Sequence, residues 1–413
     1  MEKTSNNFKH VIVVGLGYVG LPIAISAAES GFIVYGYDTD NNKIQNLNTT
    51  KTGLFENEVK KINRLQNKGK LHFLNTLPKF NSKTIFIIAV PTPLTSDRKP
   101  DLTLLSKACE SVAAVISEDS LVINESTSYI GTLRNFIKPL ILDKSFGKNL
   151  LFAVAPERID PGNPKWNLKN TPRVVSGLTQ QAKQEAFKFY SNFCDNVNIT
   201  DEPEVAEAAK LFENTFRQVN IALVNELSKL AGAMNLSTNE IINAAKTKPF
   251  GYMPFYPSIG VGGHCIPIDP SYLEFSAQII GLRLNFINLA NNINLEMPKV
   301  VAEKISQKLN NNLQSKKIQI VGIAYKINSS DIREAPALEL IKNLRSMGAD
   351  VIWHDPLVKE YLGESSHELT ADVDLGLIVT PHDVIDFTKW QKKEILVFDL
   401  SNNSKDYGWP KFI

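Results

Sequence analysis

Short apolar runs rich in β-branched residues recur through the N-terminal third of the chain, separated by stretches whose apolar positions repeat at helical spacing. Residues 10–14, 32–37, 84–90, 120–124 and 151–155 read as strands. Residues 20–30, rich in Ala and Ile and ended by Gly31, read as a helix. Asp38 closes the second run and Pro91-Thr92-Pro93 stops the third. Strands spaced by helices at these intervals predict a parallel sheet covered on both faces.

The pattern changes at residue 204. Ala, Leu, Glu and Asn continue at helical spacing with no glycine until Gly232, which predicts one long helix to about residue 234, followed by a shorter helix over 237–245. A long helix between two α/β halves would serve as a spine and as a contact between subunits. Alternation then returns, with strands over 317–322, 350–354, 375–380 and 395–399 and a helix over 335–347. Asn310-Asn311-Asn312 reads as a polar turn, and no short repeat or low-complexity tract is present.

At 413 residues the chain is too long for one ordinary core, so two or three domains are expected. The composition, 43% hydrophobic and 21% charged, is that of a globular protein rather than a disordered one. A net charge of +2 with no basic stripe argues against nucleic-acid binding. No apolar run reaches membrane-spanning length, and residues 1–9 are polar and lead straight into a strand, so a cytoplasmic location is expected. Three scattered cysteines make no disulfide framework. No Cys-x-x-Cys or His-x-x-x-His pair suggests zinc, so no protein-held metal is expected.

Gly15-Leu16-Gly17-Tyr18-Val19-Gly20 follows a strand and opens a helix, and an acidic residue ends the next strand. That context is what a dinucleotide-binding turn requires. Gly15 permits the tight turn, Gly17 lets the backbone approach a pyrophosphate, and Gly20 lets helix and strand pack closely. The helix N-terminus then faces the phosphates. The Asp38 carboxylate suits a ribose diol and repels a 2′-phosphate, which favours NAD over NADP. The later alternating segment has only Gly322 after its strand, in Val321-Gly322-Ile323-Ala324, and so is expected to share the fold without the fingerprint.

The second candidate centre is Gly262-Gly263-His264-Cys265-Ile266-Pro267-Ile268-Asp269. The two glycines are expected to give the Cys265 thiol an accessible, flexible backbone. Asp269 is near enough to share a turn with Cys265 and to orient a water or a lysine. His264 is expected to point away from its neighbour and to be structural or substrate-lining. Cys109 and Cys194 lie in stretches read as helical and apolar, where a cysteine is a small buried hydrophobe. Lys210 and Asn214, four apart on the long helix, share a face and would stabilise alkoxide character on an oxidised alcohol. Two further loops follow strands, Glu125-Ser126-Thr127 and Pro156-Glu157-Arg158-Ile159-Asp160-Pro161-Gly162. Glu157 would help activate a water and Arg158 would pair with a phosphate or a sugar hydroxyl. Both are equally readable as exposed loop charges with no role. A hydride acceptor and a thiol in one chain imply oxidation of an alcohol to an aldehyde, capture on sulfur, a second oxidation, and release as an acid.

In these motifs the chain resembles the nucleotide-sugar 6-dehydrogenases, the UDP-glucose/UDP-N-acetylmannosamine dehydrogenase family. The resemblance runs in order through Gly15–Pro22, Val90-Pro91-Thr92-Pro93, Glu125-Ser126-Thr127, Pro156-Glu157-Arg158, Ala206-Glu207-Ala208-Ala209-Lys210 with Glu213-Asn214-Thr215, the Cys265 motif, and Asp331-Ile332-Arg333-Glu334. It implies an α/β protein of three parts: an N-terminal Rossmann NAD-binding domain (1–203), a central long-helix, dimer-forming domain that carries the cysteine loop (204–310), and a C-terminal Rossmann-like UDP-binding domain (311–413). It implies two NAD-dependent oxidations at sugar C6 without a metal, with a UDP-sugar as partner and a homodimer or higher homo-oligomer.

Carried over by motif, Cys265 is the nucleophile, with Lys210, Asn214, Asp269, Glu157 and Thr127 around the reacting centre. NAD is expected at Gly15, Gly17, Tyr18, Val19, Gly20, Asp38, Lys43, Pro91, Thr92, Thr127 and Arg333. The substrate is expected at Glu157, Arg158, Lys210, Asn214, Lys248, Phe250, Tyr252, Tyr256, Gly262 and Lys326. UDP-glucose dehydrogenases usually have a second glutamate where this chain has Pro161, and a lysine where it has Ile268, so the pocket is not the glucose one. Thr247-Lys248-Pro249-Phe250-Gly251-Tyr252, with Pro254-Phe255-Tyr256-Pro257, resembles the UDP-N-acetylglucosamine 6-dehydrogenases. UDP-N-acetylgalactosamine, UDP-N-acetylmannosamine and UDP-glucose remain alternatives. A β-hydroxyacid dehydrogenase, disfavoured by the alternating segment from 317 to 399, and a non-catalytic NAD-binding protein are the rival readings. The setting implied is surface-polysaccharide precursor synthesis.

Overall fold

The structure, a computed structural model, describes residues 8–49, 56–160, 163, 165–401, 408–409 and 411–412. Most of the polar N-terminus, and Pro161 and Gly162 of the Glu157 loop, lie outside the described residues. The chain divides into two compact units, one reaching to Phe212 and taking in Gln278–Ile280, the other comprising Glu213–Ala277 and the chain from Gly281 onward.

The first unit runs β1 (His10–Val14), α1 (Gly20–Glu29), β2 (Ile33–Tyr37), α2 (Asn41–Thr49), α3 (Glu56–Asn67), β3 (Leu71–Leu74), β4 (Thr84–Ile88), α4 (Thr103–Val115), β5 (Leu121–Asn124), a π-helical turn (Leu133–Ile137) leading into α5 (Lys138–Lys144), β6 (Leu151–Val154), β7 (Arg173–Gly177), α6 (Gln180–Tyr190) and β8 (Val197–Ile199). Its sheet has the order β3-β2-β1-β4-β5-β6-β7-β8. Alternate residues of one strand serve opposite layers. Val11, Val13, Ile85 and Ile87 pack with Ile23, Ala27 and Phe189, whereas Ile12, Val14, Phe86 and Ile88 pack with Leu105, Cys109, Val112 and Ile137.

The expectation of a wholly parallel sheet needs one correction: β7 runs antiparallel to β6, with Ala153 opposite Gly177. The described residues of the segment between them form no helix to carry the chain across a face of the sheet, and the chain returns along the strand it left. Val14, Ile88 and Asn124 are in register as the last residues of β1, β4 and β5. The loops after these strands therefore emerge at one end of the sheet. The strand order reverses between β1 and β4, where an open α/β sheet leaves a crevice.

Helix α7 (Pro203–Ala233, 31 residues) is the predicted long helix, and it continues from the first unit into the second. The second unit adds α8 (Thr238–Lys246), α9 (Asp269–Ile279), α10 (Asn285–Lys308), β9 (Lys317–Val321), α11 (Pro336–Ser346), β10 (Asp350–His354), a small hairpin of β11 (Glu360–Tyr361) and β12 (Glu364–Ser365), β13 (Leu375–Ile378), α12 (Thr388–Lys393) and β14 (Val397–Asp399). Its parallel sheet has the order β10-β9-β13-β14. Met297, Val301 and Ile305 of α10 pack with Leu340 and Leu344 of α11 and with Ile318 and Ile320 of β9. Buried amides tie α10 to α7: Gln218 Nε2 donates to Asn291 Oδ1 (2.5 Å) and Asn225 Nδ2 to Asn294 Oδ1 (3.0 Å).

The two sheets repeat one turn. In the first, Gly15 N donates to Tyr37 O (2.8 Å) and Leu16 N to Asp38 Oδ2 (2.9 Å). In the second, Gly322 N donates to His354 O (2.8 Å) and Ile323 N to Asp355 Oδ2 (2.9 Å). Gly322 has φ +82°, and a Cβ there would lie 1.9 Å from Thr380 O. Gly363 has nearly the same φ, +80°, with nothing within 4 Å of its Cβ position. Gly322→Ala should therefore lower stability by about 2 kcal/mol more than Gly363→Ala, because it adds backbone overlap to the φ strain common to both. Urea unfolding followed by tryptophan fluorescence measures the difference, and equal losses would contradict the packing.

Candidate active site

The dinucleotide turn is built by close backbone approach. A Cβ at Gly20 would lie 1.9 Å from Gly15 O, and one at Gly15, where φ is +94°, would lie 2.5 Å from Ala89 O. Gly17 has nothing within 4 Å of its Cβ position, and no side chain caps the α1 N-terminus beside Val19. The first turn of α1 thus offers N–H groups beside an open glycine, with exposed Tyr18 next to it. Asp38 Oδ2 accepts from Lys43 Nζ (2.7 Å) as well as Leu16 N, and Oδ1 accepts from Asp40 N (3.0 Å). Burial works against its ionisation, but Lys43 and the backbone donors prevail and hold the carboxyl below its ordinary range. An ionised carboxylate one strand from a phosphate cradle fits an adenosine dinucleotide with free ribose hydroxyls. The other two expected cofactor loops meet: Thr92 Oγ1 donates to Thr127 O (2.7 Å), and Ser126 Oγ bonds both Val90 N (2.9 Å) and Val90 O (2.8 Å).

Beneath these loops lies an ionic cluster that the sequence reading missed. Arg173, first residue of β7, donates to Glu157 Oε2 (2.6 Å), to Ala155 O (3.1 Å) and to Glu125 Oε2. Tyr190 OH donates to the other Glu125 oxygen, and the Arg173 guanidinium lies 4.8 Å from the Tyr190 ring centre. Glu157 Oε1 accepts from Arg158 N and Ile159 N, both at 2.7 Å. Glu157 is therefore not an exposed loop charge. Its side chain is 12% exposed, and β7, by running back beside β6, brings Arg173 to it. Arg158 Nη1 donates to Pro172 O (2.8 Å). Burial pushes Glu125 up to about 7 against the pull of Arg173. Burial also opposes ionisation of Glu157, but Arg173 and the two backbone donors hold it below the ordinary range. The available signal was a single arginine directly before the Val174-Val175 pair.

Lys210 is buried on α7, three residues after Glu207. Glu207 accepts from Gly131 N (2.6 Å) and Leu133 N (3.0 Å), so the spine helix is fixed to the segment that follows Thr127.

In the second unit, Cys265 O accepts from Ile268 N (3.1 Å) and Asp269 N (2.8 Å), so the cysteine forms the turn that starts α9. Asn214 Nδ2 donates to Asp269 Oδ2 (2.5 Å). Asn214, Asp269 and Cys265 thus belong to one hydrogen-bonded path. The double glycine is not the open, flexible backbone expected: a Cβ at Gly262 would lie 2.7 Å from Tyr325 Cβ, and one at Gly263 2.7 Å from Tyr325 Cε2. Cys109 lies in α4, whereas Cys194 lies in the turn after α6 rather than in a helix. Burial pushes both thiols up to about 12, leaving Cys265 as the accessible one. Lys248, Phe250 and Tyr252 are exposed, with Lys248 Nζ 5.1 Å from the Phe250 ring centre, and Tyr256 is half-buried. Lys326 is half-buried after β9, and Arg333 is paired with Asp331 at 2.5 Å.

Two measurements test the first unit. Arg173→Met strands two buried carboxylates and should cost about 3–5 kcal/mol in urea unfolding, against about 1–2 kcal/mol for Tyr190→Phe. Equal losses would contradict a cluster centred on Arg173. Burial also pushes Glu207 up to about 7 from 4.5, against the Leu133 and Gly131 donors. The folded state then keeps a proton the unfolded chain has released. That stabilisation is complete below 4.5 and lost as pH rises through about 7. Glu207→Gln should flatten the stability–pH slope across this window, and an unchanged slope would contradict the assignment.

Comparison with known proteins agrees with this architecture. The model of the NAD binding domain of the UDP-glucose/GDP-mannose dehydrogenase family matches residues 9–194, that of the central domain residues 204–296, and that of the UDP binding domain residues 319–405. The chain is 34% identical over 355 residues to the UDP-N-acetyl-D-glucosamine 6-dehydrogenase of Salmonella typhi, covering 84% of this chain and 82% of that protein. The UDP-D-ManNAc dehydrogenase of Pyrococcus horikoshii superposes with a TM-score of 0.86 at 32% identity over 97% of each chain. The UDP-N-acetyl-mannosamine dehydrogenase Cap5O of Staphylococcus aureus does so with a TM-score of 0.82 at 30% identity, over 95% of this chain and 94% of that one. With all three domains matched in order and the dinucleotide turn intact, the chain belongs to the UDP-glucose/GDP-mannose dehydrogenase family, as an NAD-dependent UDP-sugar dehydrogenase.

Proposed function

We propose that the protein oxidises C6 of a UDP-N-acetylhexosamine, UDP-N-acetylglucosamine first among them, to the uronate in two successive steps. The observation that carries this reading is the bonded path from Asn214 through Asp269 to the backbone of Cys265. It links an amide donor on α7 to a carboxylate that shares a turn with the residue bearing the accessible thiol. Bound NAD⁺ supplies the hydride acceptor for each step. Lys210 and Asn214 stabilise alkoxide character as the C6 hydroxyl loses its proton and a hydride. Cys265 Sγ then bonds to the aldehyde carbon, and the thiohemiacetal loses a second hydride to become a thioester. Water breaks the C–S bond, releasing the carboxylate and restoring the thiol. We assign water activation to Glu157, Asp269 and Lys210 and leave Thr127 to orient the reactants. Within this proposal residues 1–203 bind NAD, with Arg333 reaching the cofactor; 204–310 carry the nucleophile; and 311–413 bind UDP, with Lys326 on the substrate.

The choice of sugar rests on the Lys248, Phe250, Tyr252 and Tyr256 loop, whose sequence resembles the N-acetylglucosamine enzymes, and on Pro161 and Ile268 standing where the glucose enzymes differ. Relatives named for N-acetylglucosamine and for N-acetylmannosamine are equally similar in sequence, at 34% identity each. Initial rates on UDP-N-acetylglucosamine, its galacto and manno isomers, and UDP-glucose decide between them. The proposal expects the highest kcat/KM on the first by at least about tenfold, one polar contact being worth that much. A preference for another sugar would replace the substrate while keeping the chemistry.

No helix among the described residues is long and apolar enough to cross a membrane, and we keep the cytoplasm as the setting, with surface-polysaccharide precursors as the product class. We also propose a homodimer through α7. Exposed Val205, Phe212, Phe216, Leu223, Leu230 and Met234 recur at seven- and four-residue steps, the spacing of a helix seam. Leu223→Asp should convert a dimer to monomer in sedimentation velocity, and an unchanged dimer would place the contact elsewhere. Cys265→Ser should stop turnover after the first oxidation at most. Full conversion to the uronate by that variant would sink the thioester route.

A further inference from the structure

In the second unit the strand order β10-β9-β13-β14 reverses direction of growth between β9 and β13, so a ligand crevice should open at the C-terminal ends of these strands. The loop after β9 turns at Gly322 and continues through Ala324-Tyr325-Lys326. Thr380 Oγ1, just after β13, donates to Ala324 O (2.7 Å) and pins the loop at that crevice. Asp355, the carboxylate that would meet a ribose in a dinucleotide turn, is sealed. Its oxygens accept from Ile323 N, Ala324 N, Leu357 N and Val358 N, and it pairs with buried His382 at 3.1 Å. A nucleotide at this crevice must therefore be met by the loop itself rather than by that acid.

The same loop is the mould for the cysteine turn. Tyr325 N donates to Asp331 O (3.0 Å), which folds the loop back so that Arg333 O accepts from Gly263 N (3.0 Å). Tyr325 lies so close to Gly262 and Gly263 that neither position has room for a Cβ, and Gly263 is held at φ +88°. One side chain thus touches the backbone two residues before Cys265 and is bonded in sequence to Lys326.

We infer that Tyr325 is a positioning residue through which the nucleotide end of the substrate sets the place of Cys265. Binding at the crevice fixes the loop after β9; the loop fixes Tyr325; and Tyr325, packed on the double glycine, fixes the turn that carries the thiol. A substrate with a correctly seated nucleotide then meets an ordered nucleophile, and small aldehydes lacking the nucleotide do not. The inference rests on the proposed roles of Cys265 and of the UDP-binding part.

The test is alkylation of Cys265 by iodoacetamide in the full-length protein, read by peptide mass spectrometry, with and without saturating UDP. Cys109 and Cys194 serve as unreactive internal references. UDP should slow wild-type labelling by about fivefold or more, the lower end of ordinary site-to-site coupling. In Tyr325→Ala the UDP effect should shrink to within about twofold while calorimetry shows UDP affinity within about threefold of wild type. Tyr325→Phe, which keeps the ring, should behave as wild type. Tyr325→Leu carries the comparison if the alanine variant does not fold. A variant that binds UDP and keeps the full labelling effect would overturn the inference, since the effect would then be direct shielding. So would loss of UDP binding in the variant, which would make Tyr325 a nucleotide contact. UDP that binds wild type without changing Cys265 labelling would overturn the coupling alone. UDP that does not bind wild type would overturn the UDP-sugar reading itself.

Discussion

The second unit depends on one steric constraint: the backbone of Gly262 and Gly263 lies against Tyr325 at a distance no side chain could occupy. That approach adds a fixed floor to a Cys265 turn that α7 already holds from the other end, through Asn214 and Asp269. A thiol that must meet an aldehyde carbon within bonding reach needs a rigid backbone more than an exposed one. The glycines supply it by packing. The amides that join α7 to α10 extend the same frame, since Asn225 Oδ1 also accepts from Ser258 N (2.9 Å), a few residues before the double glycine.

The first unit solves its own problem with charge. Loops at the ends of β5 and β6 carry polar groups, yet loops are ordinarily the mobile part of a fold. Arg173 joins both loops from below by bonding Glu125 and Glu157, and Glu207 holds the segment after Thr127 from α7. Such buried ion clusters contribute little net stability but strongly disfavour any arrangement that separates them. The two Rossmann-type turns show how burial alone changes the use of a residue. Asp38 and Asp355 accept the same backbone bond from the residue after a positive-φ glycine. Asp38 also meets a partly exposed lysine, whereas Asp355 is closed by buried His382 and serves as internal scaffolding.

Much of this was legible in the sequence because its signals are local. The dinucleotide turn, the 31-residue helix and the strands of both sheets follow from glycine spacing and apolar period. The exceptions are β3, β7 and β8: β3 and β8 are partly exposed edge strands and β7 opens on an arginine and ends in Ser-Gly, so none offers an unbroken apolar run, and the antiparallel course of β7 follows from a segment whose described residues form no helix. The Arg173 cluster could not be read at all. Its members come from β5, the loop after β6, β7 and α6, and only the fold brings them together. The double glycine was read as open, flexible backbone for the same reason, since the tyrosine that fills the space beside it is more than sixty residues away in the chain.

The central claim is a four-electron oxidation that passes through sulfur on Cys265. The most direct measurement is the amount of NADH formed per UDP-N-acetylglucosamine, with the sugar limiting and NAD⁺ in excess. Two equivalents of NADH, with the uronate as the only product, is the predicted result. One equivalent, with the aldehyde released, would contradict the account.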